Sequence, residues 1–99
     1  MTGAGRNLTA DTLVKASAEQ VSCEVSGEAV ILNLRDSSYY GLDPVGARVW
    51  KLLLNGPLPV SSIRDHLLAE FDVAAEQCEA DLLELLGRLL EKGLVEVAA

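Results

Sequence analysis

Residues 29–44 read AVILNLRDSSYYGLDP, and they contain the change from strand to helix. Ala29 to Leu34 is short, apolar nearly throughout and rich in β-branched residues, which is typical of a central strand. Arg35-Asp36-Ser37 predicts a turn, and Ser38 to Leu42 predicts another short strand. Asp43-Pro44 then supplies an N-cap followed by proline at the first helical position, where its missing N–H costs nothing. The sheet therefore ends at Asp43.

The segment before this stretch predicts one more strand. Val21, Cys23 and Val25 alternate with polar residues, which indicates a half-buried strand with Cys23 as a core thiol. Ser26-Gly27-Glu28 is a tight-turn signal. Three strands with such short connections form an antiparallel meander.

The segment after it has the helical period of 3.6 residues and predicts three helices. They cover residues 44–54, 60–71 and 75–92, and residues 94–97 favour a short terminal strand. Their apolar stripes are Val45, Val49, Leu52 and Leu53 in the first, Ile63, Leu67 and Phe71 in the second, and Cys78, Leu82, Leu85 and Leu89 in the third. The predicted fold class is α+β: a winged-helix-like domain with a three-stranded antiparallel sheet followed by three helices. Ala74 is a weak N-cap for the third helix.

Length and composition indicate one globular domain. The chain has 99 residues, of which 49% are hydrophobic and 23% charged. We expect residues 1–11 to be flexible and residues 12–97 to form the domain. No apolar run approaches the roughly 20 residues that cross a bilayer, and the N-terminus does not resemble a signal peptide. We therefore predict a cytoplasmic protein without a membrane partner.

The sequence gives little support for catalysis. The chain has one histidine, His66, between a charged residue and a core leucine, which favours a surface position. No cysteine or serine has a histidine at motif spacing, and the glycines form no phosphate-binding loop. Cys23 and Cys78 are far apart without a CxxC motif, so neither a metal site nor a redox pair is predicted. We expect no enzymatic activity and no cofactor.

A winged-helix DNA-binding or regulatory module is the alternative function, since the order of the helices suits it. The net charge of −7 lies mostly in residues 57–99, which have three basic and nine acidic residues. The third helix, which would enter the major groove, has five acidic and two basic residues. Because duplex binding depends on neutralising phosphates with lysine and arginine, we expect no nucleic-acid partner.

The third helix favours recognition of a protein or peptide. Its apolar residues span an arc of about 160°, whereas a helix that faces a core needs only somewhat more than 100°. Either the whole arc is packed between the sheet and the other helices, or part of it lines a groove. Asp81 and Arg88 would form a charged lip on such a groove; otherwise Arg88 forms a surface pair with Glu84.

The predicted strand from Ser38 to Leu42 comes last in the meander and is a candidate bare edge. Such an edge is a template for a visiting peptide strand. Tyr39 and Tyr40 point to opposite faces, so one ring can pack inward while the other lies outside. Ordinary strand composition would also account for the pair.

The run from Asp36 to Trp50, DSSYYGLDPVGARVW, resembles the PqqD family of small leader-peptide-binding proteins. The resemblance extends over about residues 12 to 97. Besides this run, it rests on residues 27–32 and on Ile63, Phe71-Asp72-Val73, Asp81, Leu82, Leu89 and Gly93-Leu94. The Tyr-Tyr-Gly-Leu and Gly-Ala-Arg-Val-Trp motifs look more like free-standing members that serve lasso peptides and other modified peptides than like the protein of pyrroloquinoline quinone synthesis.

The resemblance implies a RiPP recognition element, a non-catalytic peptide chaperone for ribosomally made, post-translationally modified peptides. It implies that the leader of a precursor peptide adds as a strand to the last strand of the meander, in the cleft against the third helix. The implied peptide-binding residues are Ser38, Tyr39, Tyr40, Gly41, Leu42, Asp81, Leu82, Leu85, Arg88 and Leu89. The partner that receives the peptide would be a modifying enzyme such as a radical SAM enzyme, a protease or a cyclase. A monomer and a weak or strand-swapped homodimer both remain open.

Overall fold

The computed structural model describes residues 8–98, which form nine elements. The strands are β1 (Leu13–Ala16), β2 (Gln20–Val25), β3 (Glu28–Asn33), β4 (Tyr39–Leu42), β5 (Leu58–Pro59) and β6 (Val95–Val97), and the helices are α1 (Pro44–Leu54), α2 (Val60–Glu70) and α3 (Ala75–Glu91). The predicted fold of an antiparallel meander followed by three helices is confirmed. Helix α1 begins as expected, because the Asp43 carboxylate accepts a hydrogen bond of 2.8 Å from the Gly46 N–H.

The strands form two small antiparallel sheets rather than one. The first has the order β2-β3-β4 and is the predicted meander. The second has the order β5-β1-β6 and joins the start of the described chain to its end. Only β6 of this second sheet was predicted, since β1 reads Leu-Val-Lys-Ala without a regular alternation and β5 has only two residues.

Strand β2 contradicts the predicted direction of its side chains. Ser22 lies on the inner face, where its hydroxyl accepts a hydrogen bond of 2.9 Å from the Trp50 indole N–H. The alternate residues point outward: Val21 is 54% exposed, Val25 is 61% exposed, and the Cys23 thiol is exposed rather than in the core. A buried indole N–H without an acceptor would be unfavourable. The polar side of β2, which carries the Ser22 hydroxyl, therefore faces α1.

The core lies between the sheets and the three helices. Trp50, Ile63, Leu86 and Leu89 are among its fully buried side chains. The N-cap of α3 is Ala74, which makes no side-chain capping hydrogen bond, as its sequence predicted. Val45 was expected on the packed stripe of α1 but is 38% exposed, because it faces an open cleft.

The described part of the predicted flexible N-terminus contacts the domain. Leu8 packs against the core, and the Ala10 carbonyl accepts a hydrogen bond of 3.0 Å from the Ser61 N–H. Residues 1–7 lie outside the described residues. Within residues 8–98 every helix is too short or too polar to span a membrane.

Candidate functional site

Strand β4 has an open edge. The Asn33 N–H donates a hydrogen bond of 2.8 Å to the Ser38 carbonyl, and the pairing continues through Ile31 with Tyr40. Because hydrogen-bonded and non-hydrogen-bonded pairs alternate in an antiparallel ladder, the N–H and C=O groups of Tyr39 and Gly41 point away from β3. The sheet order places no described strand beside them. These two residues therefore offer four main-chain groups to an incoming strand.

An apolar cleft lies where β4 passes into α1. It has a volume of about 290 Å³ and is enclosed by the start of α1, the end of α2 and the outer side of α3. Its floor is apolar and includes Val45, Val49, Leu67, Phe71, Leu82 and Leu85. Such a concave apolar surface beside an open strand edge suits the anchoring side chain of an extended peptide.

The leucines of α3 divide between the core and the cleft. Leu82 is 2% exposed and Leu89 is fully buried, so both hold the helix on the domain, and only Leu82 reaches the cleft. Leu85 is half-buried and lines the cleft. The second of the two alternatives for the wide apolar arc therefore holds: part of the arc lines a cleft and the rest is packed in the core.

The charged residues of the cleft form a mainly acidic rim. Asp43, Asp81, Glu84 and Arg88 all line it. Asp81 accepts a hydrogen bond of 2.8 Å from the Gln77 amide, and Arg88 lies 3.9 Å from Glu84. Both pairs are exposed, and exposed pairs of this kind contribute little to stability. Asp81 and Arg88 thus remain available to a ligand.

Several residues near β4 and α3 were missed by sequence reasoning. The Lys92 ammonium lies 5.8 Å from the centre of the half-buried Tyr40 ring, which brings the C-terminal end of α3 next to β4. Val45, Phe71 and Val73 line the cleft, although Val45 and Phe71 were predicted only as members of apolar helix stripes and Val73 was noted only in the family resemblance. The only sequence signal for Val45 was its position in the first turn of α1, close to the end of β4.

The turn that leads into β4 is tightly organised. Asp36 accepts hydrogen bonds from the Ser38 hydroxyl (2.7 Å) and the Ser38 N–H (3.0 Å). These bonds hold the pKa of the Asp36 carboxyl below its ordinary value. Ser37 has a φ of +63°, a left-handed conformation that an Asx-type turn supports. The turn fixes where the open edge starts.

The face of the β2-β3-β4 sheet that points away from the helices is apolar and exposed. We call it the outer face; apart from Glu28 it carries no charge, and its members are Val21, Cys23, Val25, Glu28, Val30, Leu32, Tyr39 and Gly41. Val30 is 44% and Tyr39 73% exposed. Contiguous exposed apolar patches are uncommon on the surfaces of monomeric proteins. Where they occur, they often mark interaction sites.

The described residues contain no group of three or more His, Cys, Asp or Glu side chains that is placed to hold a metal ion. His66 is exposed on α2, as expected. Cys78 is buried, and this burial raises the pKa of its thiol.

Comparison with known proteins identifies a family model and two solved structures that match this chain. The model of the family described as "Coenzyme PQQ synthesis protein D (PqqD)" matches residues 28–95. Comparison with curated protein sequences returned no match. Among solved structures, TbiB1 in complex with the TbiA(beta) leader peptide is 39% identical, with a TM-score of 0.78 over 86% of this chain and 98% of that one. A lasso peptide synthetase B1 complexed with the leader peptide shares the fold, with 23% identity and a TM-score of 0.72 over 84% of this chain and 96% of that one. Since the family model matches more than half of the sequence, the chain belongs to the PqqD family.

Proposed function

We propose that this protein binds the leader of a ribosomally made precursor peptide and presents it to a modifying enzyme, without itself catalysing a reaction. The observation that carries the proposal is the open edge of β4, which ends at Leu42, one residue before Asp43 on the rim of the apolar cleft. A peptide that adds to this edge gains main-chain hydrogen bonds and places alternate side chains toward the cleft. The leader-peptide complexes of the two structural neighbours support the same function.

The proposed roles of the site residues follow from their positions. Tyr39 and Gly41 pair with the leader through their main chain, whereas Ser38, Tyr40 and Leu42 keep their ladder bonds to β3. Leu82 and Leu85 contact an apolar leader side chain in the cleft. Arg88 meets a carboxylate or main-chain carbonyl of the leader, and Asp81 accepts from a peptide donor. Leu89 acts only by holding α3 in place.

The outer face provides a surface for the modifying enzyme. A leader strand on β4 extends the same sheet, so the outer face becomes continuous with one side of the bound peptide. An enzyme with an apolar docking surface would then contact protein and leader together, and this would couple docking to the presence of substrate.

The direct test is an NMR titration of the ¹⁵N-labelled protein with the TbiA(beta) leader peptide. We expect the largest amide shifts at residues 38–42 and along the cleft side of α3. A scrambled peptide of the same composition is the control. Absence of binding at millimolar peptide, or shifts confined to residues 1–20, would contradict the proposal.

Two further measurements separate the alternatives. Duplex DNA should not bind at moderate salt; a sub-micromolar dissociation constant that weakens steeply with salt would favour the DNA-binding module instead. For the outer face, Val21→Asp on β2, away from the edge of β4, should leave leader affinity unchanged but reduce modification of the precursor when the protein, precursor and modifying enzymes are co-expressed. Full modification with Val21→Asp would exclude the outer face as the docking surface.

A further inference from the structure

Gly41 is a glycine that the fold does not require. It lies inside a strand, where glycine is less favourable than alanine because it loses more conformational freedom on folding. Its φ is not in the left-handed region, unlike those of Gly27, Gly56 and Gly93. A Cβ built at Gly41 would meet no heavy atom within 4 Å. Neither backbone conformation nor packing within the described chain therefore explains this residue.

The missing side chain leaves a depression on the outer face. Gly41 is paired with Val30, which in turn is paired with Cys23. A shallow hollow at this place is lined by Val25, Glu28, Val30 and Asp43 together with Gly41 itself. Its floor is apolar, and two carboxylates stand at its rim. A glycine within a strand often marks a place where a ligand approaches closely.

We propose that Gly41 is a specificity-determining residue, which leaves room for a large apolar side chain of the bound leader. The inference rests on the proposed function, because it requires a leader strand on the edge of β4. The leader residue hydrogen-bonded to Gly41 has its side chain on the outer face, with its Cα about 5.5 Å from that of Gly41. From there the side chain reaches across the glycine to Val30, in the way that an aromatic residue covers a glycine on a neighbouring strand.

The chemistry of the hollow selects the occupant. An aromatic side chain gains the most from covering Val25 and Val30, which are otherwise exposed. A polar tip, such as a phenolic hydroxyl, would find acceptors in Glu28 and Asp43. A leader with a small residue at this position would leave the hollow empty, so this leader should bind more weakly.

The experiment compares Gly41→Ala and Gly41→Val with Gly87→Ala, using the TbiA(beta) leader peptide as the probe. A Cβ at Gly87 in α3 also meets nothing within 4 Å, so this control adds a methyl group elsewhere on the surface. We expect all three variants to melt at or above the wild-type temperature. Leader affinity should fall about tenfold for Gly41→Val, less for Gly41→Ala, and not at all for Gly87→Ala.

An alanine scan of the peptide identifies the occupant. One peptide residue should lose affinity when truncated against the wild-type protein but not against Gly41→Val, and such non-additivity reports direct contact. Equal affinities of wild type and Gly41→Val would overturn the inference while leaving leader binding intact. Failure of the wild-type protein to bind would instead contradict the proposed function.

Discussion

The Asn33 side-chain amide donates a hydrogen bond of 2.8 Å to the main-chain carbonyl of Lys92 and so joins the end of β3 to the end of α3. The same side chain accepts 2.9 Å from the Arg35 N–H, and Asn33 is only 3% exposed. Lys92 in turn lies over the Tyr40 ring. The C-terminal end of α3 is thus held next to β3 and β4.

Replacing Asn33 should therefore affect both stability and binding. Asn33→Ala leaves the Lys92 carbonyl and the Arg35 N–H without their partner, so we expect a loss of about 1–3 kcal/mol of unfolding free energy. Leader affinity, measured by calorimetry where the variant is fully folded, should also decrease because the end of α3 is no longer held next to β3 and β4.

Asn33→Asp is the matched variant for this contact. A protonated aspartic acid can donate to the Lys92 carbonyl, whereas an aspartate cannot. The affinity of Asn33→Asp should therefore rise as the pH is lowered, while that of Asn33→Ala should show no such gain. If leader affinity depends on pH in the same way for both variants, the hydrogen bond to the Lys92 carbonyl does not control leader binding.

The main-chain pairing of β4 leads to a second prediction. Tyr39→Pro removes an N–H that points away from β3, so the sheet should survive while leader binding is strongly weakened. Tyr40→Pro removes a ladder donor to β3 and should destabilise the fold itself. Tyr39→Ala keeps the N–H and is the control for the lost ring. Calorimetric affinity together with thermal melting separates these effects, and unchanged affinity in a folded Tyr39→Pro variant would mean that this edge is not used.

These variants also show what the sequence could and could not reveal. The meander and the helices were predictable because Asp43-Pro44 marks the boundary between two strong periodicities. The direction of β2 was not, because the pattern of Val21, Cys23 and Val25 shows one apolar face but not which side the Trp50 indole occupies. That side is settled by the long-range hydrogen bond to Ser22.

The candidate site was partly predictable for a similar reason. The edge strand and the apolar arc of α3 are local patterns, and both were named from the sequence. The contributions of Asn33, Lys92 and Val45 depend on how the end of α3 and the start of α1 meet β4. Such contacts between distant segments leave no periodic signal.

The outward direction of Cys23 gives a third prediction. In the folded protein one thiol should react rapidly with Ellman's reagent, since Cys23 is exposed and Cys78 is buried with a raised pKa. Cys23→Ser should abolish the fast phase, and denaturant should reveal a second thiol in the wild type. Docking of a modifying enzyme on the outer face should slow the reaction; two slow thiols in the free protein would place Cys23 back in the core.

The turn before β4 gives a prediction about pH. The folded-state pKa of Asp36 is lowered, first by the Ser38 hydroxyl and then by the Ser38 N–H. Its contribution to stability is therefore present above the unfolded value of 3.8 and is lost as the pH falls through the lower folded value. Ser38→Ala should raise the Asp36 pKa, measured by carboxyl NMR titration, and should reduce the acid-induced loss of stability. An unchanged Asp36 pKa in Ser38→Ala would show that the turn hydrogen bond does not control it.

The last prediction concerns Arg88 at the rim of the cleft. If Arg88 meets a carboxylate or carbonyl of the leader, Arg88→Glu replaces a charge-assisted hydrogen bond by repulsion beside Asp81 and Glu84. The loss should be about 1.5–3 kcal/mol, or roughly ten- to a hundredfold in affinity. The melting temperature should hardly change, because the Arg88–Glu84 pair is exposed and contributes little. Lys51→Glu makes the same change of charge on α1, away from the cleft, and should leave the affinity unchanged. Calorimetric titration of both variants distinguishes a local contact of Arg88 from an effect of net charge. Equal affinities for Arg88→Glu and wild type would mean that Arg88 forms only an exposed surface pair with Glu84.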